Sequence, residues 1–324
     1  GPVVYNATDK YKKVPFTDIA SGKVDFTTKS DIGWVGMIQH YFVSAWVVPE
    51  TFAREFYIET IKPAIKPEDG VYKIGQRMSL GDIAPASKTS FNSQLYVGPQ
   101  DQDKLAAIAP GLDLTVDYGW LTIIAKPVHW FLTLLYSFIP NWGWAIVALT
   151  ILVKLAFFPL TAASYKSMAK MRRLAPKIKI LQEQFADDKM KLNQETMALY
   201  KAEKVNPAGG CLPMLVQMPV FIALFYVLQA AVEMRGAPWL GWIQDLSLPD
   251  PWYILPVLMC VTMVFQTWLN PKPADPMQEK MMWIMPFMFA FTFFFFPSGL
   301  VLYWVVSNIF SIAQQWVVTK KYGH

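Results

Sequence analysis

The segment "ALTILVKLAFFPLTAAS", residues 148 to 164, is apolar at almost every position but carries an ammonium at Lys154. In hydrocarbon such a charge costs about 2.5–3.5 kcal/mol or more unless it meets water or polar partners. Thr150 lies one helical turn before it on the same face. A later apolar stretch places Tyr303, Ser307, Ser311 and Gln314 at i, i+4, i+8 and i+11, which is a polar stripe on a helix. Gln217 and Gln266 add one amide each from two further apolar stretches. The set offers binding chemistry: one positive charge with hydroxyls and amides around it, suited to a wet cavity inside a bundle. A competing reading makes the Ser, Thr and Gln side chains hydrogen-bond glue between helices. Another lets Lys154 snorkel to the surface. The nearest basic residue beyond it, Lys166, is twelve residues on. That is about 18 Å of helix, against a lysine reach of roughly 6 Å. The gap favours the cavity, although Pro159 would shorten it by ending the apolar helix early.

Other chemistries lack their parts. The apolar stretches of the second half hold no Asp or Glu except Glu233 at a helix end, no His, and no H-E-x-x-H pattern. A carboxylate proton relay, an intramembrane aspartyl protease and a metalloprotease are therefore excluded. There is no glycine-rich phosphate loop, so the expectation is no cofactor, no metal and no enzyme activity. Cys211 and Cys260 lie on different apolar stretches and read as small hydrophobes. His40, in "MIQHYF", reads as a half-buried strand residue and not as a ligand.

The elements that must position these residues follow from composition. Of 324 residues, 54% are hydrophobic, 15% aromatic and only 16% charged, too apolar for an ordinary pair of soluble domains. Residues 1–117 carry 12 basic and 14 acidic side chains, whereas residues 118–324 carry 17 and 10, so the chain has a soluble half and a half built for lipid. Five stretches, 142–163, 211–234, 252–270, 281–297 and 299–318, are long or apolar enough to span a bilayer as helices, which takes about 20 residues. The loop 165–210 holds ten Lys or Arg against five acids, 271–280 holds Lys272 and Lys280, and the tail 319–324 holds Lys320 and Lys321. All three fall on one side of a five-span bundle, the cytoplasmic side by the positive-inside rule, which puts residues 1–117 in a periplasm-like compartment.

Within residues 1–117, "KVDFTT", "YFVSAWVV", "REFYIET", "GVYKIGQRMSL" and "SFNSQLYVG" read as strands of a sandwich or open sheet. Residues 118–141 are apolar but carry Lys126, Pro127 and His129. They read as an amphipathic helix on the outer leaflet with Trp120, Trp130 and Tyr136 at headgroup level, with a sixth span as the alternative. Residues 165–206 read as an antiparallel helical hairpin. One helix carries a stripe at Met168, Met171, Leu174, Ile178, Leu181 and Phe185. Asp187 and Asp188 cap the other, which carries Met190, Met197 and Tyr200 and stops at Asn206, Pro207 and the glycines. The hairpin's basic residues, among them Lys166, Lys170, Arg172, Arg173, Lys177 and Lys179, serve as a topology signal and contact anionic lipid, or alternatively dock an RNA-rich partner such as a ribosome. The predicted fold class is thus a membrane α-helical bundle, five transmembrane helices plus an interfacial helix and a cytoplasmic hairpin, with an N-terminal periplasmic β-sandwich portion.

Several long motifs resemble the YidC membrane protein insertase family of Gram-negative bacteria: "YKAEKVNPAGGCLPMLVQMPVFIALFYVL", "FPSGLVLYWVVSNIFSIAQQW", "DPMQEKMMWIMP" and "LTVDYGWL". They occur in the family's order from about residue 95 onward, and residues 1–95, with "IGWVGMIQHYFVSAWV", resemble the C-terminal portion of its periplasmic domain. The family's N-terminal membrane helix and the first part of that domain have no counterpart here, and the initial Gly-Pro is compatible with a cleavage scar, so the natural chain is expected to begin earlier.

The resemblance implies an inner-membrane protein that inserts small membrane proteins through a hydrophilic groove open to cytoplasm and lipid. Lys154 stands where the family usually has Arg, which keeps the charge but loses the bidentate fork. Thr150 is implied as its polar partner. The implied substrate-contacting stretches lie around Met218 to Phe221 and Phe293 to Phe296. The implied partners are nascent membrane proteins, the ribosome, the Sec translocon, the signal recognition particle receptor and anionic lipids. A small-solute carrier or channel with Lys154 as an anion site is the rival reading, and a purely structural assembly chaperone a third.

Overall fold

The computed structural model describes residues 1–206, 212–270 and 276–322. The glycine stop with Cys211 and the loop holding Lys272 lie outside them. The chain divides into two compact units, one made of Gly1–Asp117 and the stretch Ala230–Glu233, the other of Tyr118–Gln229 and Met234–His324.

The first unit has eight strands: β1 Pro2–Asn6, β2 Lys10–Lys13, β3 Lys29–Ser30, β4 Gly33–Ile38, β5 Phe42–Val47, β6 Arg54–Lys62, β7 Val71–Met78 and β8 Gln94–Pro99. They form a five-stranded sheet ordered β2-β1-β4-β5-β8 and a three-stranded sheet ordered β3-β6-β7. Val43, Ala45 and Val47 are buried while Phe42 and Trp46 are exposed. That alternation fixes the β4–β5 register, Trp34 opposite Val47 through Ile38 opposite Val43, because a slip by one residue would turn the apolar set outward. Val4 and Val35 of the larger sheet share a core with Phe56, Ile58 and Ile74 of the smaller, so the sheets pack face to face as a sandwich.

Two expectations need correction here. The stretch 23–28 forms no strand. The Asp9 carboxylate accepts from Thr27 N at 2.6 Å and Asn6 Nδ2 donates to Thr27 O at 3.1 Å, so side chains occupy the backbone groups a ladder would use. His40 is exposed, in the turn between the end of β4 and the start of β5, with its ring edge-on to Tyr41 at 4.2 Å. The strands β1, β2, β3 and β4 have no counterpart among the predicted runs.

Arg54, 3% exposed, holds this unit's loops together. Its guanidinium donates to five carbonyls, those of Asp31, Gly33, Val48, Glu50 and Phe52, at 2.6–3.3 Å. Burial lowers its pKa from the ordinary value, opposed in part by Asp31.

The second unit is helical: α3 Thr122–Phe138, α4 Trp142–Ala156, α5 Phe158–Gln184, α6 Lys189–Ala202, α7 Leu212–Ala230, α8 Ile254–Leu269, α9 Pro276–Phe293 and α10 Ser298–Tyr322 (two short helices of the first unit, Phe16–Ala20 and Gln102–Ile108, are α1 and α2). α10 lies at its centre, packed on α4, α5 and α8, with Leu300 through Trp304 buried on all sides. The loop before α8 caps two helices. Ser298 N and Gly299 N, at the start of α10, donate to Leu248 O and Leu246 O at 2.7 and 3.0 Å. The buried Asp250 accepts from Trp252 N, Leu255 N and Trp242 Nε1, which anchors the start of α8. Gly143 lets α4 lie flat on the Trp239 ring, where a Cβ would collide.

The apolar run 142–163 is not one straight span. It breaks at Phe157 and turns by 66° into α5. Pro159 sits in the first turn of α5, where its missing N–H is harmless, whereas in mid-helix it would lose a bond. By length and composition alone, two helices among the described residues, Gly119–Phe138 and Ser298–Lys320, can cross a membrane, and the bent pair makes a third. Met214–Ala230 and Ile254–Leu269 are shorter apolar helices. The first of these candidates is the segment the sequence reading lays on the membrane surface. Its Trp120 and Trp130 are exposed, but Tyr136 is not an outward anchor, since it stacks on Trp142 at 4.1 Å. The expected separate tail at 319–324 is instead the last turn of α10 as far as Tyr322, because nothing in "VVTKKY" breaks a helix.

Of the hairpin stripe, Leu174 and Ile178 meet Tyr200 and Val205, with Met171 and Leu199 against them. Met168 leaves that seam to pack with Tyr165 and Val318, and Met190 and Met197 are largely exposed, 75% and 47%. Asp188 caps α6 by accepting from Lys191 N at 3.0 Å.

Candidate functional site

Three helices converge on Lys154. It lies in the last turn of α4 and is 6% exposed. Its Nζ donates to Ser311 Oγ of α10 at 2.8 Å and to Gln217 Oε1 of α7 at 3.1 Å. The amide of Gln217 in turn donates to Ser307 Oγ, so the charge, two hydroxyls and one amide form a continuous network. Among the described residues no carboxylate lies within ion-pair distance of Lys154. The ammonium is solvated by neutral oxygens alone, an arrangement that leaves its net charge available to an incoming anion.

The bend at Phe157 carries the polar face onward instead of ending it. Thr161, at the start of α5, exchanges hydrogen bonds with the Gln314 amide at 2.7 and 3.1 Å, and Gln314 Nε2 also donates to Phe158 O at 3.1 Å. Tyr165 is buried and shares the wall of one cavity with Ser311. Neither Thr161 nor Tyr165 was among the expected groove residues, although their spacing of seven and eleven from Lys154 on one helical face was visible in the sequence. Thr150 is fully buried, but its hydroxyl goes to Ile146 O at 2.7 Å on its own helix. The ammonium's partners are therefore Gln217 and Ser311 in place of the implied Thr150. Tyr303 is buried too, its ring 6.3 Å from that of Phe221.

A cavity of about 230 Å³ opens beside this network, and Gln217 and Ser311 form part of its wall together with Gln266 and Asn308. A space of that size, with these polar groups on one part of its wall, has room for several waters. Half of the remaining wall is thioether: Met168, Met214, Met263, Met282 and Met285. Asn308 is held by Thr262 at 3.2 Å, which ties α10 to α8 behind the cavity.

The four residues implied to contact substrate separate into two kinds. Phe221 and Phe293 are 9% and 3% exposed and pack on Trp304, with ring centroids at 4.8 and 5.5 Å. Phe296 joins them through Phe293 at 5.1 Å. This aromatic cluster fills the bundle beside the first turns of α10, on the far side of Ser307 from Ser311. Phe296 is partly exposed, and Met218, 36% exposed, has the most open face of the four.

The six basic residues expected at a docking surface are all exposed, yet they do not share one environment. Lys177 bridges to Glu203 at 2.6 Å and so joins α5 to α6. Arg172 and Arg173 face a hollow beside α8 and α10. Lys166, Lys170 and Lys179 lie along the outward surface of α5. Among the described residues no cluster of His, Cys, Asp and Glu could hold a metal, and Cys260 is a half-buried thiol on α8.

Comparison with known proteins places this geometry among relatives. A family model described as "60Kd inner membrane protein" matches residues 134–324, and one described as "YidC periplasmic domain" matches residues 1–131. The chain is 55% identical over 323 residues to the membrane protein insertase YidC of Cupriavidus taiwanensis, covering 100% of this chain and 57% of that protein. It is 56% identical over 320 residues to the YidC of Dechloromonas aromatica, covering 99% and 58%. It thus spans little more than half the length of these curated relatives. In fold it is similar to the crystal structure of an active YidC insertase with its first transmembrane domain resolved, with a TM-score of 0.57 and 23% identity over 90% of this chain and 65% of that one. These matches leave the small-solute carrier reading without support.

Proposed function

The chain belongs to the YidC family of inner-membrane proteins with a periplasmic domain, and from that premise we propose that it inserts other proteins into the membrane through the groove around Lys154. The observation that carries the proposal is the buried ammonium held by Gln217 and Ser311, two residues in the wall of a partly polar cavity, with no carboxylate within ion-pair distance of it among the described residues. A hydrated acidic segment entering a bilayer loses solvation worth several kcal/mol per charge. A positive charge about 4 Å away returns roughly 4 kcal/mol at an effective dielectric near 20. The cavity keeps the segment partly wet while the aromatic cluster at the start of α10 closes the path on the other side.

The substrate's apolar helix leaves sideways past α7 and α9, whose outward faces carry Met214, Leu215, Met218 and Phe287, because burial of its own apolar surface in lipid is favourable. Membrane potential contributes about 2.3 kcal/mol per 100 mV for each negative charge drawn outward. No bond is made or broken, so the protein acts as an insertase and chaperone and not as an enzyme. The full reading has five spans, with α3 on the outer leaflet, the α5–α6 hairpin in the cytoplasm and the β sandwich in the periplasm of a bacterial inner membrane. Nascent membrane proteins are the substrates. The ribosome, the Sec translocon and the signal recognition particle receptor are partners carried over from the family likeness, with the hairpin as their docking element.

The test is complementation in cells depleted of their own insertase, reading insertion of a small membrane protein with an acidic external tail. Lys154→Ala and Lys154→Glu are expected to lower insertion at least about tenfold, the effect of roughly 1.4 kcal/mol. Lys154→Arg is expected to retain it. Normal insertion by the Glu variant overturns the groove-charge mechanism. Loss of substrate folding without loss of insertion would favour a chaperone acting after the membrane step.

A further inference from the structure

Arg172 and Arg173 on α5 and Lys320 near the end of α10 stand far apart in sequence but line one hollow of about 420 Å³. Trp268, in the last turn of α8, and Trp316 on α10 complete it, with 60% and 57% of their surfaces exposed. Lys320 Nζ lies 5.2 Å from the centroid of the Trp316 ring, so its charge is set over the hollow's aromatic side. Gln315 donates to Leu269 O at 3.3 Å and to Asn270 Oδ1 at 3.0 Å, which fixes the end of α8 against α10 and so holds the two indoles apart. Among the described residues that line the hollow there is no carboxylate.

Below the hollow, Val257, Val261 and Phe265 continue from Trp268 along the outward face of α8, each about half exposed. A ligand that fits has a phosphate for the cations, a polar–apolar boundary at the two indoles, and a hydrocarbon chain for the rail on α8. We propose that this hollow is a binding site for the headgroup of an anionic membrane phospholipid, with an acyl chain lying on the outward face of α8. A soluble phosphate satisfies only the first of the three features, and an RNA or acidic protein leaves the apolar rail bare. The site gives Arg172 and Arg173 a lipid-anchoring role distinct from partner docking on the hairpin. It fastens α5 to α8 and α10 at the membrane edge, next to the helices that hold Lys154. The proposal rests on the reading that the helical unit lies in a bilayer.

The test uses the chain reconstituted in nanodiscs of phosphatidylcholine doped with phosphatidylglycerol, with lipids that stay bound counted by native mass spectrometry. Retained lipid is expected to be enriched in phosphatidylglycerol over the bulk mixture. The triple variant R172Q/R173Q/K320Q is expected to lower that enrichment at least about tenfold, since each cation near the surface contributes separately. R172K/R173K keeps the charges and is expected to keep most of the enrichment, which also reports on folding. Removing the same number of charges elsewhere, in K179Q/K191Q/K201Q, is expected to leave it intact. Equal loss in both triple variants means a diffuse field and overturns the site, as does enrichment unchanged in the first. Displacement by millimolar inorganic phosphate overturns the lipid assignment in favour of a free-anion site. Lys154→Ala is expected to keep the lipid enrichment while losing insertion, so failure here and failure of the insertion reading are separately visible.

Discussion

Replacing Lys154 by Met separates what the residue does for stability from what it does for function. The ammonium is 6% exposed and satisfied only by neutral oxygens, and exchanging a buried charge for an apolar side chain of similar length is often neutral or stabilising by about 1–4 kcal/mol. Lys154→Met is therefore expected to hold or raise the thermal unfolding midpoint in detergent while abolishing insertion. A variant that is both unstable and inactive would make Lys154 a structural residue. Arg54 is the opposite case. Its guanidinium serves five carbonyls at once, of which Asp31 O is also met by a backbone donor, Phe52 N, so Arg54→Ala is expected to destabilise the β unit by about 3–5 kcal/mol. Arg54→Lys, with one ammonium for five acceptors, should rescue only part of this in denaturant unfolding followed by tryptophan fluorescence. The two residues also differ in how legible they were. Lys154 stands out because its apolar neighbours make a charge improbable, and the stripe on α10 and the amide of Gln217 on α7 offered its partners. Arg54, at the head of "REFYIET", looks like any solvated strand residue, because its acceptors come from loops and from the first residue of β4, which no periodicity announces.

At the scale of elements, the bend between α4 and α5 depends on Pro159 in the first turn of α5. Pro159→Ala is expected to let the two helices straighten, drawing Thr161 away from Gln314 and lowering insertion while the helix content by circular dichroism stays unchanged. A spin-label distance between α5 and α10 that does not move would count against the bend as a positioning device. The hairpin offers a second test. Ile178→Ala, in the small seam of Leu174, Tyr200 and Val205, is expected to cost about 2–3 kcal/mol locally and to speed hydrogen exchange in α6, with the bundle's midpoint preserved. Helices and their order could be read from the apolar stretches, but the bend could not be placed. The run 142–163 is continuous in hydropathy, and only the proline marks the turn. The strand expected at 23–28 failed for a related reason: β-branched and aromatic composition says nothing about side chains such as Asn6 and Asp9 that capture the backbone first.

At the scale of the molecule, the division into an acidic soluble half and a basic apolar half was legible from charge counts alone, because lipid and water select different compositions over a hundred residues. The β unit should accordingly respond to acid. Hydrogen bonds from Asn6 and Thr27 hold the Asp9 carboxyl below its ordinary 3.8. At Asp101, burial pushes upward but the bonds and charge of Lys104 outweigh it and the net shift is again downward. Both groups ionise more readily folded than unfolded. The stability they contribute is complete above the unfolded value and is lost as pH falls through the lower folded values. The unit's melting midpoint is expected to stay level from about pH 7 to 5 and to drop below about pH 4. Asp9→Asn should flatten that acid limb, and an unchanged limb would mean other carboxylates dominate.

The thioether wall of the cavity beside Lys154 has a consequence of its own. Methionine side chains have three rotatable bonds and a polarizable sulfur, so five of them define a volume without defining a shape. On the proposed reading, the site transmits almost no information about a client's sequence: it registers the sign of a charge and the presence of a greasy helix, and little else. Such a receptor can serve many clients with one geometry, and the order in which they arrive must be decided elsewhere. The same sulfurs make it a target for peroxide, which would turn an accommodating wall into a polar one.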